Sequence, residues 1–178
     1  MSFRPMPILL TLAAVPAMST PPTKAAQTWS WAYNGSGISA MGTFTTSDQP
    51  DADGFYRILD IAGTDNGVAI TGLQPAGTAI PGNEPFAVDN LVSLAAPQLT
   101  VHGFGFSLAN GDYANPFHTG SGYFEYLSSP PYANGAGVEK PISFTATLVP
   151  EPSSILSMLT ALAGFLGQAW RGRPADNR

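Results

Sequence analysis

The sequence contains no cysteine and few charges. Without cysteine, none of its 178 residues can form a disulfide, a thiolate zinc site or a cysteine nucleophile. Charged residues make up only 11% of the chain, whereas glycine and proline number 19 and 17. This composition favours short strands joined by turns over helices. We therefore expect one domain that is stabilised by its core alone or by a bound metal.

Basic side chains are also scarce in the central region. Residues 27–149 hold ten acidic and two basic residues, which gives a formal charge of −8. Because no basic patch is present to neutralise phosphates, we expect no binding to nucleic acid or to anionic lipid.

Groups suited to catalysis are few. The only histidines are His102 and His118, and no serine lies in a Gly-x-Ser-x-Gly elbow. A serine triad, or two carboxylates placed for glycoside hydrolysis, could assemble across the fold, but no spacing indicates either one. We therefore expect no enzymatic activity and no cofactor, and a small hydrolase is kept as the third alternative.

Alternating apolar residues dominate the central region. Trp29, Trp31 and Tyr33 alternate with small residues, and Ile142 to Leu148 alternates in the same way. Asn66-Gly67 follows the apolar run 55–62 and suits a tight hairpin, so 55–62 and 67–72 should pair antiparallel. The alternation in Leu99 to Leu108 predicts another strand, with Gly103 and Gly105 closely crossed by a neighbour, such as a tryptophan or tyrosine.

These patterns predict an all-β fold. We expect a single antiparallel β-sandwich or open barrel of seven or eight strands over residues 26–148.

Two weak binding sites can be named within this domain. Asp48, Asp51 and Asp53 share a glycine-ended loop that resembles part of a calcium site, although the full calcium-loop pattern is absent. The alternative is a solvated acidic turn. Exposed aromatic rings could stack on sugars, and each could instead belong to the core. The candidates are Trp29, Trp31, Tyr113, Tyr123 and Tyr132.

The N-terminus has the pattern of a secretory signal peptide. Arg4 precedes an apolar stretch from Met6 to Met18, and Thr23-Lys24-Ala25 supplies small residues at the recognition positions. We expect residues 1–25 to be removed by cleavage before Ala26.

The C-terminus combines three features in order. Pro150 and Pro152 flank Glu151 and exclude a regular helix or central strand there. Residues 153–170 carry no charge and, as a helix, would span roughly 27 Å, close to the bilayer core of ~30 Å. Arg171 and Arg173 follow and suit a cytoplasmic end. A transmembrane helix over 153–170 is therefore expected, and a buried core helix is the alternative.

This tail, 149–178, resembles the PEP-CTERM sorting signal of Gram-negative bacteria. The resemblance rests on the motif 149–154, the apolar helix and the basic tail 171–178, with Gln168 as a polar departure in the helix. The motif begins Val149, Pro150, Glu151, Pro152 and Ser153. In that family the motif is recognised by exosortase, a membrane protease-transferase.

The resemblance implies a route for the protein. It would be exported, anchored transiently in the inner membrane, and then delivered to the cell surface or the extracellular polysaccharide matrix. The central domain would have no assigned activity, and the runner-up is a carbohydrate-binding domain of that matrix.

Overall fold

The structure, a computed structural model, describes residues 26–150. The predicted signal peptide 1–25 lies outside the described residues, as do 151–178, which include the predicted membrane helix and basic tail. Nine strands are present in the described part of the chain: β1 Gln27–Gly35, β2 Ile38–Thr46, β3 Phe55–Asp65, β4 Val68–Leu73, β5 Leu91–Ser93, β6 Phe106–Leu108, β7 Tyr113–Thr119, β8 Gly122–Ser128 and β9 Val138–Leu148.

Eight of these strands close into an antiparallel barrel. Their order around it is β2-β1-β9-β8-β7-β6-β4-β3, and β3 pairs back onto β2. β5 lies outside the ring and pairs with β3 alone. The predicted all-β class is confirmed, and the sandwich and the open barrel are both replaced by a closed barrel. Closure satisfies backbone groups that an open edge would leave unpaired.

The hairpin predicted at Asn66-Gly67 is confirmed. β3 and β4 pair antiparallel, with Asp65 opposite Val68. Asn66 and Gly67 have φ values of 48° and 81°, the positive angles that a two-residue turn of this type requires. The side-chain oxygen of Asn66 also accepts the N–H of Ser39 at 2.9 Å. This bond ties the turn to the start of β2.

Aromatic rings fill the barrel. Trp29, Trp31 and Tyr33 all point inward and are at most 2% exposed. The ring of Trp31 stacks on that of Phe44 at 5.3 Å, and Phe104 meets Phe44 edge-on at 5.0 Å. Offset and edge-on pairs of this kind add stabilisation beyond the area that they bury.

Two glycines bring β2 and β3 unusually close together. Gly42 lies opposite Gly63 in the pairing of the two strands. A Cβ on Gly42 would clash with the carbonyl of Ala62, and one on Gly63 would clash with the carbonyl of Met41. Trp31 is the partner of Gly42 on the other side. The missing side chains therefore allow the backbones of β2 and β3 to approach closely at this point.

The segment Leu99 to Leu108 is only partly a strand. The ladder covers Phe106–Leu108 alone, so the longer strand predicted there is wrong. Gly103 has φ 59°, and a Cβ there would meet the backbone of Pro116 and Phe117. The close approach expected at the glycines is present, but backbone and aliphatic side chains make it and no aromatic ring does.

The chain leaves the barrel at the end of β9. Leu148 is the last strand residue, and the N–H of Val149 donates to the carbonyl of Thr28 at 2.9 Å. Between residues 26 and 150 no helix is long and apolar enough to cross a membrane.

Candidate functional site

A groove of about 360 Å³ lies on the outer side of β7, β8 and the start of β9. This size falls in the range of pockets that hold small ligands, about 300–1,000 Å³. Three loop segments, at 83–86, 101–102 and 134–135, enclose it against the strands. Its lining residues are Asn83, Glu84, Phe86, Val101, His102, Asn115, Phe117, Thr119, Tyr126, Asn134, Gly135 and Glu139.

Hydrogen bonds fix the walls of this groove. The hydroxyl of Tyr126 donates to the carbonyl of Gly82 at 2.8 Å and accepts the N–H of Gly137 at 3.0 Å. The N–H of Gly135 donates to the same Gly82 carbonyl at 3.1 Å. One buried tyrosine therefore links two loops that are about fifty residues apart in sequence, and the groove is preformed.

Asn115 holds the third wall. Its amide nitrogen donates to the carbonyls of His102 and Phe104, at 3.1 Å and 2.9 Å. Its amide oxygen accepts from Asn83 at 3.4 Å, which joins this wall to the first loop. Because this buried amide makes several hydrogen bonds, it fixes the position of the backbone at His102 and Phe104.

The groove surface is apolar with an acidic rim. Phe86 and Val101 are 66% and 64% exposed, among the most exposed large apolar side chains in residues 26–150. Glu84 and Glu139 add two exposed carboxylates, and no lysine or arginine of the described chain lines the groove. Such a surface would repel an anion and suits a ligand that has an apolar face.

A second, wider depression lies between β3, β5 and the loop before β6. It has a volume of about 710 Å³ and is open to solvent, and Asp51, Arg57, Asp89 and His102 are among its lining residues. The hydroxyl of Thr100 donates to Asp89 Oδ2 at 2.6 Å, while Oδ1 is buried and has no hydrogen-bond partner among residues 26–150. Burial raises the pKa of Asp89, and the Thr100 hydrogen bond and the nearby His102 oppose that shift.

An acidic cluster lies inside one end of the barrel. Tyr33 of β1, Asp65 of β3 and Glu125 of β8 all point inward, and each is at most 2% exposed. The hydroxyl of Tyr33 donates to Glu125 Oε1 at 2.6 Å. Asp65 Oδ1 is buried and has no partner within the described residues.

Burial keeps at least one carboxyl of this cluster protonated at neutral pH. Loss of solvent raises the pKa of Glu125 to about 8, and the charge of the neighbouring Asp65 adds to the increase. Burial also raises the pKa of Asp65 and of Tyr33. Ionising both of two buried carboxyls that face each other would be strongly unfavourable, so the pair holds at least one proton.

The opening to Glu125 is small. A cavity of about 100 Å³ reaches it, lined also by Asn66, Val138 and Lys140. Lys140 is the direct partner of Glu125 across β8 and β9, and its charge lowers the pKa of Glu125 only in part. This space is too small for a sugar unit to reach the carboxyl pair, so the arrangement gives a hydrolytic site no room for a polymer.

Sequence reasoning did not single out Glu125. The alternation of Tyr123, Glu125 and Leu127 places all three on one face of β8. A lone carboxylate on a face that is otherwise apolar was the available signal. Its partner Asp65 lies directly before the Asn66-Gly67 turn.

The aromatic sugar contacts expected on β1 are wrong. Trp29 and Trp31 are 0% and 2% exposed, because the inward face of a closed barrel has no access to a polymer. Tyr113 is half-buried, and its ring meets Tyr132 edge-on at 5.7 Å. The hydroxyl of Tyr123 is occupied, since it accepts the N–H of Gln98 at 2.8 Å.

The aspartates of the acidic loop form a turn. Asp51 Oδ1 accepts the N–H groups of Asp53 and Phe55 at 3.0 Å and 2.9 Å. In residues 26–150 no three acidic, histidine or cysteine side chains converge on a metal position. Asp48, Asp51 and Asp53 are therefore not brought together as calcium ligands, because the carboxylate of Asp51 caps its own loop.

Of the sorting residues, Val149 and Pro150 are described and exposed after β9. Glu151, Pro152, Ser153, Arg171 and Arg173 lie outside the described residues. The chain matches no protein-family model, no curated protein and no solved structure.

Proposed function

We propose that this chain is an exported protein of a Gram-negative-type bacterium, sorted through its C-terminal signal. Residues 1–25 direct export, and the helix 153–170 with Arg171 and Arg173 holds the chain in the inner membrane. Exosortase then processes the Pro150-Glu151-Pro152 motif, and the barrel passes to the cell surface or the extracellular matrix.

One structural observation supports this order of events. β9 ends at Leu148, and the next two residues are exposed. The motif therefore begins directly after β9, the last strand of the barrel. A protease-transferase could act at Pro150 without unfolding a strand, since β9 ends at Leu148 and, within residues 26–150, the N–H of Val149 makes the last backbone hydrogen bond to β1.

The experiment is a triple substitution of Pro150, Glu151 and Pro152 by alanine, expressed in the native cells. The barrel should stay folded, and the chain should accumulate in the inner membrane with its tail retained. A matched control replaces Pro174 and Asp176, a proline and an acid that lie beyond the arginines. Intact mass and cell fractionation read the result, and normal surface delivery of the triple variant would refute the sorting proposal.

Contact with extracellular polysaccharide is the second candidate. The preformed groove at Phe86 favours it, because an exposed ring surrounded by amide and carboxylate side chains can both stack on a sugar and hydrogen-bond its hydroxyls. In either case we assign no reaction to the barrel.

A further inference from the structure

We infer that the groove around Phe86 binds uncharged or amino-bearing polysaccharide and rejects acidic polysaccharide. The inference rests on the second candidate function and names both its site and its ligand class. It does not depend on the sorting signal, so the two can fail separately.

The charges of the groove decide between ligand classes. Glu84 and Glu139 stand exposed at its rim. The only basic residues between 26 and 150 are Arg57 and Lys140, which line the two other cavities. A uronic acid or sulfated chain would bring like charge against these carboxylates, with no lysine or arginine in the groove to offset it. A neutral sugar meets no such barrier, and an amino group gains from both carboxylates.

The apolar surface suits the face of a sugar ring. Phe86 presents two thirds of its surface to solvent, at 66% exposure. Phe117, which also lines the groove, is held by stacking on Phe124 at 6.1 Å. Rings held in place can accept a sugar face with little loss of side-chain freedom on binding.

Polar groups stand beside this surface. The amide of Asn134 and the carboxylates of Glu84 and Glu139 lie on the walls, and Asn83 adds a second amide at the floor. Amides both donate and accept, so they match hydroxyl groups, whereas an apolar peptide would leave them unpaired. The network through Tyr126 and Asn115 holds the backbone of the loops that carry Asn83, Glu84 and Asn134.

The test measures retention of the purified native protein by three polysaccharides at about 0.15 M salt, where weak surface attraction is screened. The probes are a neutral dextran, a chitosan oligosaccharide and an alginate of similar length. Wild type is compared with Phe86→Ala and with Leu94→Ala. Leu94 is 54% exposed and lies outside the groove, so it controls for loss of a surface apolar side chain. Circular dichroism confirms that all three proteins are folded.

Dextran or chitosan should be retained and alginate should not, and Phe86→Ala should weaken retention about tenfold while Leu94→Ala leaves it unchanged. Glu84→Gln combined with Glu139→Gln should weaken chitosan retention and spare dextran. Retention of alginate, retention of none of the three, or equal effects of the two alanine variants would each overturn the inference. Phe86→Ala should still reach the cell surface, which separates this result from the sorting proposal.

Discussion

Replacing Glu125 with glutamine should remove most of the pH dependence of barrel stability. The folded protein holds the proton of Glu125 up to about pH 8, whereas the ordinary pKa of this side chain is 4.5. Between these values the folded state binds more protons than the unfolded state. The free energy of unfolding must therefore fall as the pH rises from about 4.5 to about 8, and it should fall no further from this group above pH 8.

The structure gives the size of this effect. Each unit of pKa difference corresponds to about 1.4 kcal/mol, so a change from 4.5 to about 8 corresponds to about 5 kcal/mol as an upper figure. The actual loss of stability should be smaller, because Asp65 shares the proton of the cluster and because relaxation of the cavity near Lys140 would stabilise the ionised form of Glu125. An expected loss of about 2–3 kcal/mol between pH 5 and pH 7 follows from a slope of about 1.4 kcal/mol per pH unit.

Glutamine is the right substitution because it preserves the packing. Its amide oxygen can still accept the 2.6 Å hydrogen bond from Tyr33, and its amide nitrogen can donate to Asp65. The variant cannot ionise, so its stability should change less with pH. It should resemble wild type near pH 5 and exceed it by about 4 kcal/mol at pH 9.

Urea unfolding at pH 5, 7 and 9 measures the effect on wild type, Glu125→Gln and Glu139→Gln. Glu139 is an exposed glutamate on the neighbouring strand, so its substitution should leave the wild-type pH dependence intact. Titration of Asp89, whose pKa is also raised by burial, is common to all three proteins and cancels in the comparison. Parallel pH profiles for wild type and Glu125→Gln would refute the reasoning.

Two further substitutions test the fold and the groove. Gly42→Ala should destabilise the barrel by about 3 kcal/mol or more, because its Cβ would clash with the backbone of Ala62. Gly120→Ala is the control, since a Cβ there meets nothing within 4 Å. It should change the free energy of unfolding by less than about 0.5 kcal/mol. Equal unfolding midpoints for the two would contradict the close strand approach. Tyr126→Phe should cost about 1–3 kcal/mol and speed amide hydrogen exchange at Gly137, since it removes the hydroxyl that joins Gly82 and Gly137. Tyr113→Phe is its control, and unchanged exchange at Gly137 in Tyr126→Phe would show that the groove walls do not depend on this link.

The strands were predictable where their signals are local. The alternation of Trp29, Trp31 and Tyr33 fixes which face of β1 is buried, whatever the strand pairs with. Asn66-Gly67 fixes a two-residue turn, because few other residues tolerate two successive positive φ angles. Information of this kind lies within a few residues, so the all-β class could be stated without the structure.

Barrel closure was not predictable in the same way. It depends on β2 pairing with β3 and on β4 pairing with β6, and strand alternation does not specify partners. The long strand expected at Leu99 to Leu108 failed for a related reason. Its alternation is real, but Gly103 turns away from a ladder to lie against the backbone of Pro116. Contact with a distant segment overrode the local pattern.

The two candidate sites depend on such distant contacts even more. Glu125 is an unremarkable acid in the sequence until Tyr33 and Asp65, 92 and 60 positions away in number, meet it inside the barrel. The groove depends on Gly82 and Gly137 meeting at Tyr126. The proposed terminal signals have the opposite character, since they are inferred from length, charge and order along the chain. The route proposed for this chain therefore rests on its sequence alone, whereas the role of the barrel has to be tested at Phe86 and Glu125.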